Sequence, residues 1–175
     1  MSSSVSIHNV IPLKKERSST SKTTRKKLRR YVRNTNDFLE NYFALITGRF
    51  KEFTVDQFED FLIGLAREFV SEIYEPGARK ISFSGLGAIG CLPLERTTNV
   101  LRDNGCIEKY NKAARGFNVK LQAMIKELCA RCRGLRLRYC PVYDGLLKII
   151  QNPSSFGKFG PWALLVLGLL CFLNG

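Results

Sequence analysis

Apolar residues recur along the middle of the chain with two different periods. From Val55 to Ile73 the spacing is helical: Val55, Phe58, Phe61, Leu62, Leu65, Ala66, Phe69, Val70 and Ile73 form one wide apolar face. Thr54 with Gln57 three residues on makes a capping box, and Glu75-Pro76-Gly77 stops the run. The pattern predicts a helix over Thr54–Tyr74. A short strand follows over Lys80–Ser84 and stops at Gly85. Residues 85–106 read as irregular, with Gly85, Gly87, Gly90, Pro93 and Gly105, and a loop that long points to function. A second helical face, Ile107, Tyr110, Ala114, Phe117, Leu121, Met124, Ile125 and Leu128, predicts a helix from about Ile107 to Leu128. Leu135–Tyr139 alternates as a strand does, and a short helix is expected over Tyr143–Gln151, closed by Asn152-Pro153.

Helix, strand, helix, strand, helix with short connections is the grammar of an α/β domain with a parallel sheet. Beyond these two strands there is only a weak one near Leu28–Val32. Two long helices need a wider sheet, so the chain reads as the back half of a larger fold. A half-sheet would leave the faces of Phe58–Ile73 and Phe117–Leu128 partly covered, which predicts poor solubility or a molten state.

Composition adds that a core is affordable: 45% of the 175 residues are hydrophobic and 11% aromatic, which excludes a fully disordered chain. The net charge of +13 is uneven. Residues 1–36 hold ten basic residues against one acid, Glu16, so the body is only weakly basic. Residues 1–33 read as a disordered, basic, Ser/Thr-rich tail. Their composition is transit-peptide-like, and it also suits an anion-binding patch or a plain solvated tail. No secretory signal pattern is present there. At the other end, residues 158–175 are a mainly apolar segment. Its uninterrupted part, Trp162–Leu173, would reach about 18 Å as a helix against a hydrocarbon core of about 30 Å. A buried helix, an interfacial anchor and a translated segment foreign to the domain all fit it.

One count removes whole classes of chemistry. The only histidine is His8, in the polar tail, so a packed site has no histidine base and a zinc site with several histidines is excluded. The chain has no G-x-S-x-G, no H-E-x-x-H and no Asp-x-x-His, and Pro153 blocks the one N-x-S/T match. Gly85-Leu86-Gly87-Ala88-Ile89-Gly90 fits G-x-G-x-x-G after a strand. Pro93 would fall inside the helix that a dinucleotide site requires there, and no acid ends a strand about twenty residues on, so nucleotide binding is not expected. Cys129-Ala130-Arg131-Cys132 stands without a second pair and at the end of a helix, which favours ordinary thiols over zinc or redox chemistry. Cys91 and Cys106 bracket the long loop and would close it with a disulfide in an oxidising compartment. Neither a cofactor nor a metal is expected.

Several blocks share an order and spacing. Asn34-Thr35-Asn36-Asp37-Phe38-Leu39-Glu40-Asn41-Tyr42 comes first, then Gly77-Ala78-Arg79-Lys80-Ile81, then Gly85-Leu86-Gly87 leading to Gly90-Cys91-Leu92-Pro93. Cys106, Tyr110-Asn111, Ala114, Phe117-Asn118 and Leu121 follow, and Asn152-Pro153-Ser154-Ser155-Phe156-Gly157 closes the set. The ordered set resembles the plant GDSL esterase/lipase family of the SGNH hydrolase superfamily over about residues 34–157. The resemblance implies a partial three-layer α/β/α, flavodoxin-like fold over 34–157, with several strands of the parallel sheet missing. It implies hydrolysis of ester bonds in lipids and other acyl compounds by a Ser-His-Asp triad, with acyl ester or lipid as substrate.

Carried over residue by residue, only one site residue has a counterpart. Asn36 matches the family's oxyanion-hole asparagine in a Gly-x-Asn-Asp block, where Asn34 replaces the Gly; Asn tolerates positive φ better than most residues. Residues 1–33 contain no Gly, so the Gly-Asp-Ser block and the oxyanion Gly are absent, and the chain leaves the family pattern after Gly157, before an Asp-x-x-His block. The expectation is a truncated member that is inactive by itself. The alternative is a non-catalytic binding protein that uses the basic tail and the apolar segment, with weak membrane-surface contact and no nucleic-acid partner. The family is commonly extracellular, and the missing signal pattern leaves the compartment open.

Overall fold

A computed structural model describes residues 42–43, 49–100, 103 and 105–159. The weak strand near Leu28–Val32, the basic tail, Asn36 and the apolar run from Trp162 lie outside the described residues. In chain order the described elements are α1 (Val55–Tyr74), β1 (Lys80–Ser84), α2 (Pro93–Thr98), α3 (Glu108–Arg131), β2 (Arg136–Cys140) and α4 (Tyr143–Gln151). Short 3-10 turns occupy Arg49–Lys51, Ile89–Cys91 and Pro153–Phe159. The strands form a two-stranded sheet. It is parallel: the Arg136 N–H donates to the Arg79 carbonyl at the start of the pair, and the Gly85 N–H to the Cys140 carbonyl at its end. The chain divides into two compact units. Among the described residues no helix is long and apolar enough to cross a membrane.

The first unit takes in residues up to 83 together with 120–139. Thr54 caps α1 as expected: its hydroxyl accepts the Gln57 N–H at 3.2 Å, and the Gln57 side chain accepts the Thr54 N–H at 2.9 Å. The helix stops in a Schellman motif. The Ala78 N–H reaches the Ile73 carbonyl, the Gly77 N–H reaches Tyr74, and Gly77 takes φ +105°, which a side chain would resist. Phe58, Leu62, Ala66, Phe69, Val70 and Ile73 are buried as the period requires. Ile63 joins them, while Val55, Phe61 and Leu65 stay half-buried. Rings close one end of this core: Tyr42 packs tilted at 4.8 Å from Phe58, and Phe53 stacks at 5.9 Å from Phe61. The Tyr42 hydroxyl donates to the Phe53 carbonyl at 3.0 Å. The cover of the Phe58–Ile73 face is therefore uneven: Phe58, Phe69 and Val70 are all under 3% exposed, while Phe61 and Leu65 are covered only in part, as expected.

Glu59 interrupts that apolar face and is itself buried. It is tolerated because Lys120 of α3 lies 3.3 Å away. The Lys120 ammonium also meets Asp56 at 2.6 Å and Asp60 at 2.7 Å. Burial opposes the lysine's charge, but its bonds to Asp56, Asp60 and Glu59 outweigh that and hold it above the ordinary range. Burial pushes the Glu59 carboxyl up, because one ammonium is shared among three carboxylates and repays the desolvation of Glu59 only in part. Further along α1, Arg67 meets Glu127 at 2.5 Å, and Arg131 meets the same carboxylate at 3.0 Å.

The second unit takes in residues 84–119 together with 140 onward. The stretch expected to be irregular contains α2, which starts at Pro93. Proline opens this helix instead of breaking one, because its missing N–H falls where the first turn has no intrahelical partner anyway. Arg115 donates to the Tyr143 hydroxyl at 2.6 Å and pairs with Glu108, which joins the start of α3 to the start of α4.

Candidate functional site

The glycine loop between β1 and α2 is fastened to α3 at several points. Two buried asparagines of α3 hold it from below. Asn118, 5% exposed, reads the backbone of Leu86 twice: its Oδ1 accepts the Leu86 N–H at 2.6 Å and its Nδ2 donates to the Leu86 carbonyl at 2.8 Å. Asn111, 2% exposed, accepts the Gly90 N–H on its Oδ1 at 2.9 Å. Its Nδ2 donates to the Cys91 sulfur at 3.3 Å and to Glu108 at 3.5 Å. The Ile107 N–H donates to the Gly90 carbonyl at 2.8 Å. This approach is so close that a Cβ at Gly90 would stand 2.1 Å from the Ile107 carbonyl oxygen. Only glycine fits there.

Cys91 and Cys106 are joined in a disulfide across the same junction, with their Cα atoms 4.4 Å apart. A cross-link of this sequence separation restricts the unfolded chain by about 3 kcal/mol. The spacing around the loop suggested the pair; the structure adds that it is one of several ties at one place.

Five of the loop's amides are bonded within the protein. Gly85 donates to Cys140, Leu86 to Asn118, Ile89 to Gly87, Gly90 to Asn111 and Cys91 to Ala88. A phosphate cradle needs such N–H groups free and a helix opening at the glycines. Here the chain makes a 3-10 turn at Ile89–Cys91 instead. The G-x-G-x-x-G spacing serves close packing of loop on helix.

Two ionisable groups beside the loop are shifted. Burial pushes the Glu95 carboxyl up, and burial with the charge of Glu95 pushes the Tyr110 phenol up. Cys129 and Cys132 are free thiols at the end of α3, and Cys129 accepts the Leu137 N–H at 3.2 Å. Among the described residues no group of His, Cys, Asp and Glu is placed to hold a metal ion. Neither His8 nor Asn36 is among the described residues.

Sequence reasoning missed what Asn111 and Asn118 do. They lie two helical turns apart on the face of α3 that also carries Ala114, Leu121 and Met124. The apolar pattern assigned that face to Ile107, Tyr110 and Phe117 as well, and these are only half-buried. A repeated Asn seven residues apart within a buried stripe was the available signal, since buried amides require partners.

Strand, glycine loop, long helix and parallel strand, with the loop fastened to the helix, define a piece of an α/β protein of the strand–helix–strand type. The chain belongs to the GDSL-like lipase/acylhydrolase family, whose profile matches residues 19–158. It is 44% identical over 141 residues to GDSL esterase/lipase At2g04570 of Arabidopsis thaliana, covering 81% of this chain and 38% of that protein. It is 46% identical over 123 residues to GDSL esterase/lipase At4g26790 of the same plant, covering 70% and 35%. The chain thus spans about a third of the length of the curated relatives it matches. No solved structure matches it. The family that the ordered motif blocks resembled is the one these comparisons give.

Proposed function

We propose that the chain forms part of a carboxylic ester hydrolase acting on lipid or other acyl esters, and that Asn36 supplies its side-chain amide to the oxyanion hole. The observation that carries this is the family match across residues 19–158, which includes Asn34-Thr35-Asn36-Asp37. Ester hydrolysis passes through a tetrahedral oxyanion, and one well-placed donor there contributes about 3 kcal/mol. That contribution counts only beside an activated nucleophile. Within these 175 residues there is no Gly-Asp-Ser block, no Asp-x-x-His block and no histidine but His8. The chain by itself therefore turns over no ester. Its contribution is one oxyanion donor and the braced loop of Gly85–Pro93.

Two experiments test this. The purified chain and its Asn36→Ala variant should both leave a short-chain p-nitrophenyl ester at the background rate. Turnover that drops in the variant would reveal a nucleophile in this chain and overturn its inactivity. Residues 34–157 transplanted into the matching segment of GDSL esterase/lipase At2g04570 should give an active chimera that loses about a hundredfold in rate on Asn36→Ala. A folded chimera without activity, or one indifferent to Asn36, defeats the assignment.

A second reading rests on the ten basic residues within 1–36: a binding protein whose tail holds anionic membrane surface, with the apolar segment after Phe159 in contact with lipid. Such binding to anionic vesicles is released by about 0.5 M salt. Binding that persists there rules out the tail as its cause.

A further inference from the structure

The two sulfurs of the Cys91–Cys106 bond stand in very different surroundings. Cys91 is 1% exposed, and Cys106 is exposed. Asn111 donates its Nδ2–H to the buried sulfur, and the same side chain accepts the Gly90 N–H. We propose that this disulfide is a reducible latch on the glycine loop, attacked by an external dithiol at Cys106, with Cys91 as the leaving sulfur. The proposal stands apart from the ester-hydrolase reading and needs neither Asn36 nor a triad.

Thiol–disulfide exchange requires the attacking thiolate to reach one sulfur along the line of the S–S bond, and access decides which. Only Cys106 offers that approach. As the attacking thiolate bonds to Cys106 Sγ, the Cys91–Cys106 bond breaks and its electron pair passes to Cys91 Sγ. An N–H donated to sulfur strengthens as the sulfur becomes negative, so the Asn111 amide favours the departing thiolate where burial opposes it. The Cys91 thiolate then takes a proton from solvent. In the second step the reductant's other thiol displaces Cys106 as thiol. The reductant leaves as its own disulfide, and two cysteines remain reduced. What holds the Gly90 end of the loop is then the Ile107 N–H to Gly90 bond and the Asn111 bond alone. Reduction thus loosens one end of the loop while the Asn118 clamp on Leu86 keeps the other.

The test uses the oxidised chain. Cys129 and Cys132 are first capped with N-ethylmaleimide, glutathione is added as a monothiol attacker, and freed thiols are trapped with iodoacetamide. Peptide mass mapping should place glutathione on Cys106 and the alkyl group on Cys91, at least tenfold over the reverse pattern. Equal or reversed labelling, or a bond that resists until the protein is denatured, overturns the proposal. Cys140 is also disulfide-bonded, so hydrogen exchange compares the oxidised chain with its Cys91→Ser/Cys106→Ser variant, which lacks only the bond in question. The Gly90 and Ile107 amides should exchange about tenfold faster in the variant, with Phe69 and Val70 unchanged. Unchanged rates at Gly90 and Ile107, or acceleration everywhere, show a purely structural cross-link and defeat the latch. Asn111→Asp keeps the acceptor and removes the donor; it should slow the glutathione step about tenfold, and an unaltered rate removes Asn111 from the proposal.

Discussion

Helix α3 is fastened differently at its two ends. Over its first half, Asn111 and Asn118 are buried and neutral, and each reads backbone atoms of the glycine loop. Over its second half, Lys120 and Glu127 hold α1 through ion pairs; of the three acids on Lys120, Asp56 at 78% and Asp60 at 64% are largely exposed and only Glu59 is buried. Neutral amides bonded to backbone demand one geometry, and losing one strands buried donors and acceptors at about 1–3 kcal/mol. Exposed ion pairs tolerate many geometries and contribute about 0–1 kcal/mol each. The helix therefore fixes a loop with one half and gathers a neighbouring helix with the other.

Substitutions at the loop contacts should separate the two ends most. Gly90→Ala sets a Cβ against the Ile107 carbonyl and should cost about 3 kcal/mol, read by urea denaturation. A cost under about 1 kcal/mol would mean that the start of α3 yields and the junction is not rigid. Asn118→Leu keeps the size of the side chain and strands the Leu86 N–H and carbonyl, for about 2 kcal/mol. Neither cost should change in about 0.5 M salt, because the contacts are uncharged.

At the charged end, unlike the loop, the contribution of the exposed pairs should shrink in salt. Lys120→Met leaves Glu59 buried without its cation and should cost about 3 kcal/mol, most of it recovered when Glu59→Leu is added. Failure of the double variant to recover would show that Asp56 and Asp60, not Glu59, carry the interaction. Smallest is the acid response. Bonds from Arg67 and Arg131 hold the Glu127 carboxyl below its ordinary range. A lowered folded pKa contributes stability that is present above about pH 4.3 and lost as pH falls through the folded value. Glu108, held down by Arg115, acts in the same sense, and Glu59 and Glu95, raised by burial, act in the reverse sense. Glu127→Gln should flatten the slope of stability against pH below about 4.3, and an unchanged slope would count against the pair.

Much of the fold was legible because its signals are local. The Thr54–Gln57 box, the Gly77 stop, the strand at Lys80–Ser84 and the helix at Tyr143–Gln151 each follow from residues within a turn or two of one another. Motif order alone pointed to the family and to Asn36, a residue beyond those the structure describes. The helix opened by Pro93 was missed because the same residue that breaks a helix interior begins one at its first turn, and only the neighbouring backbone says which applies.

By itself the sequence determined the two long helices, the two strands and the helix at Tyr143–Gln151, that the class is α/β, and which chemistry the single histidine denies to a packed site. The tertiary structure alone decided that Asn111 and Asn118 spend their amides on Leu86, Gly90 and Cys91, that Glu59 is buried with Lys120, and that the N–H groups of Leu86 and Gly90 are already taken. The physical reason is range. A period or a cap is set by neighbours in the chain, whereas the partner of a buried polar group is set by whichever distant backbone the packing brings against it.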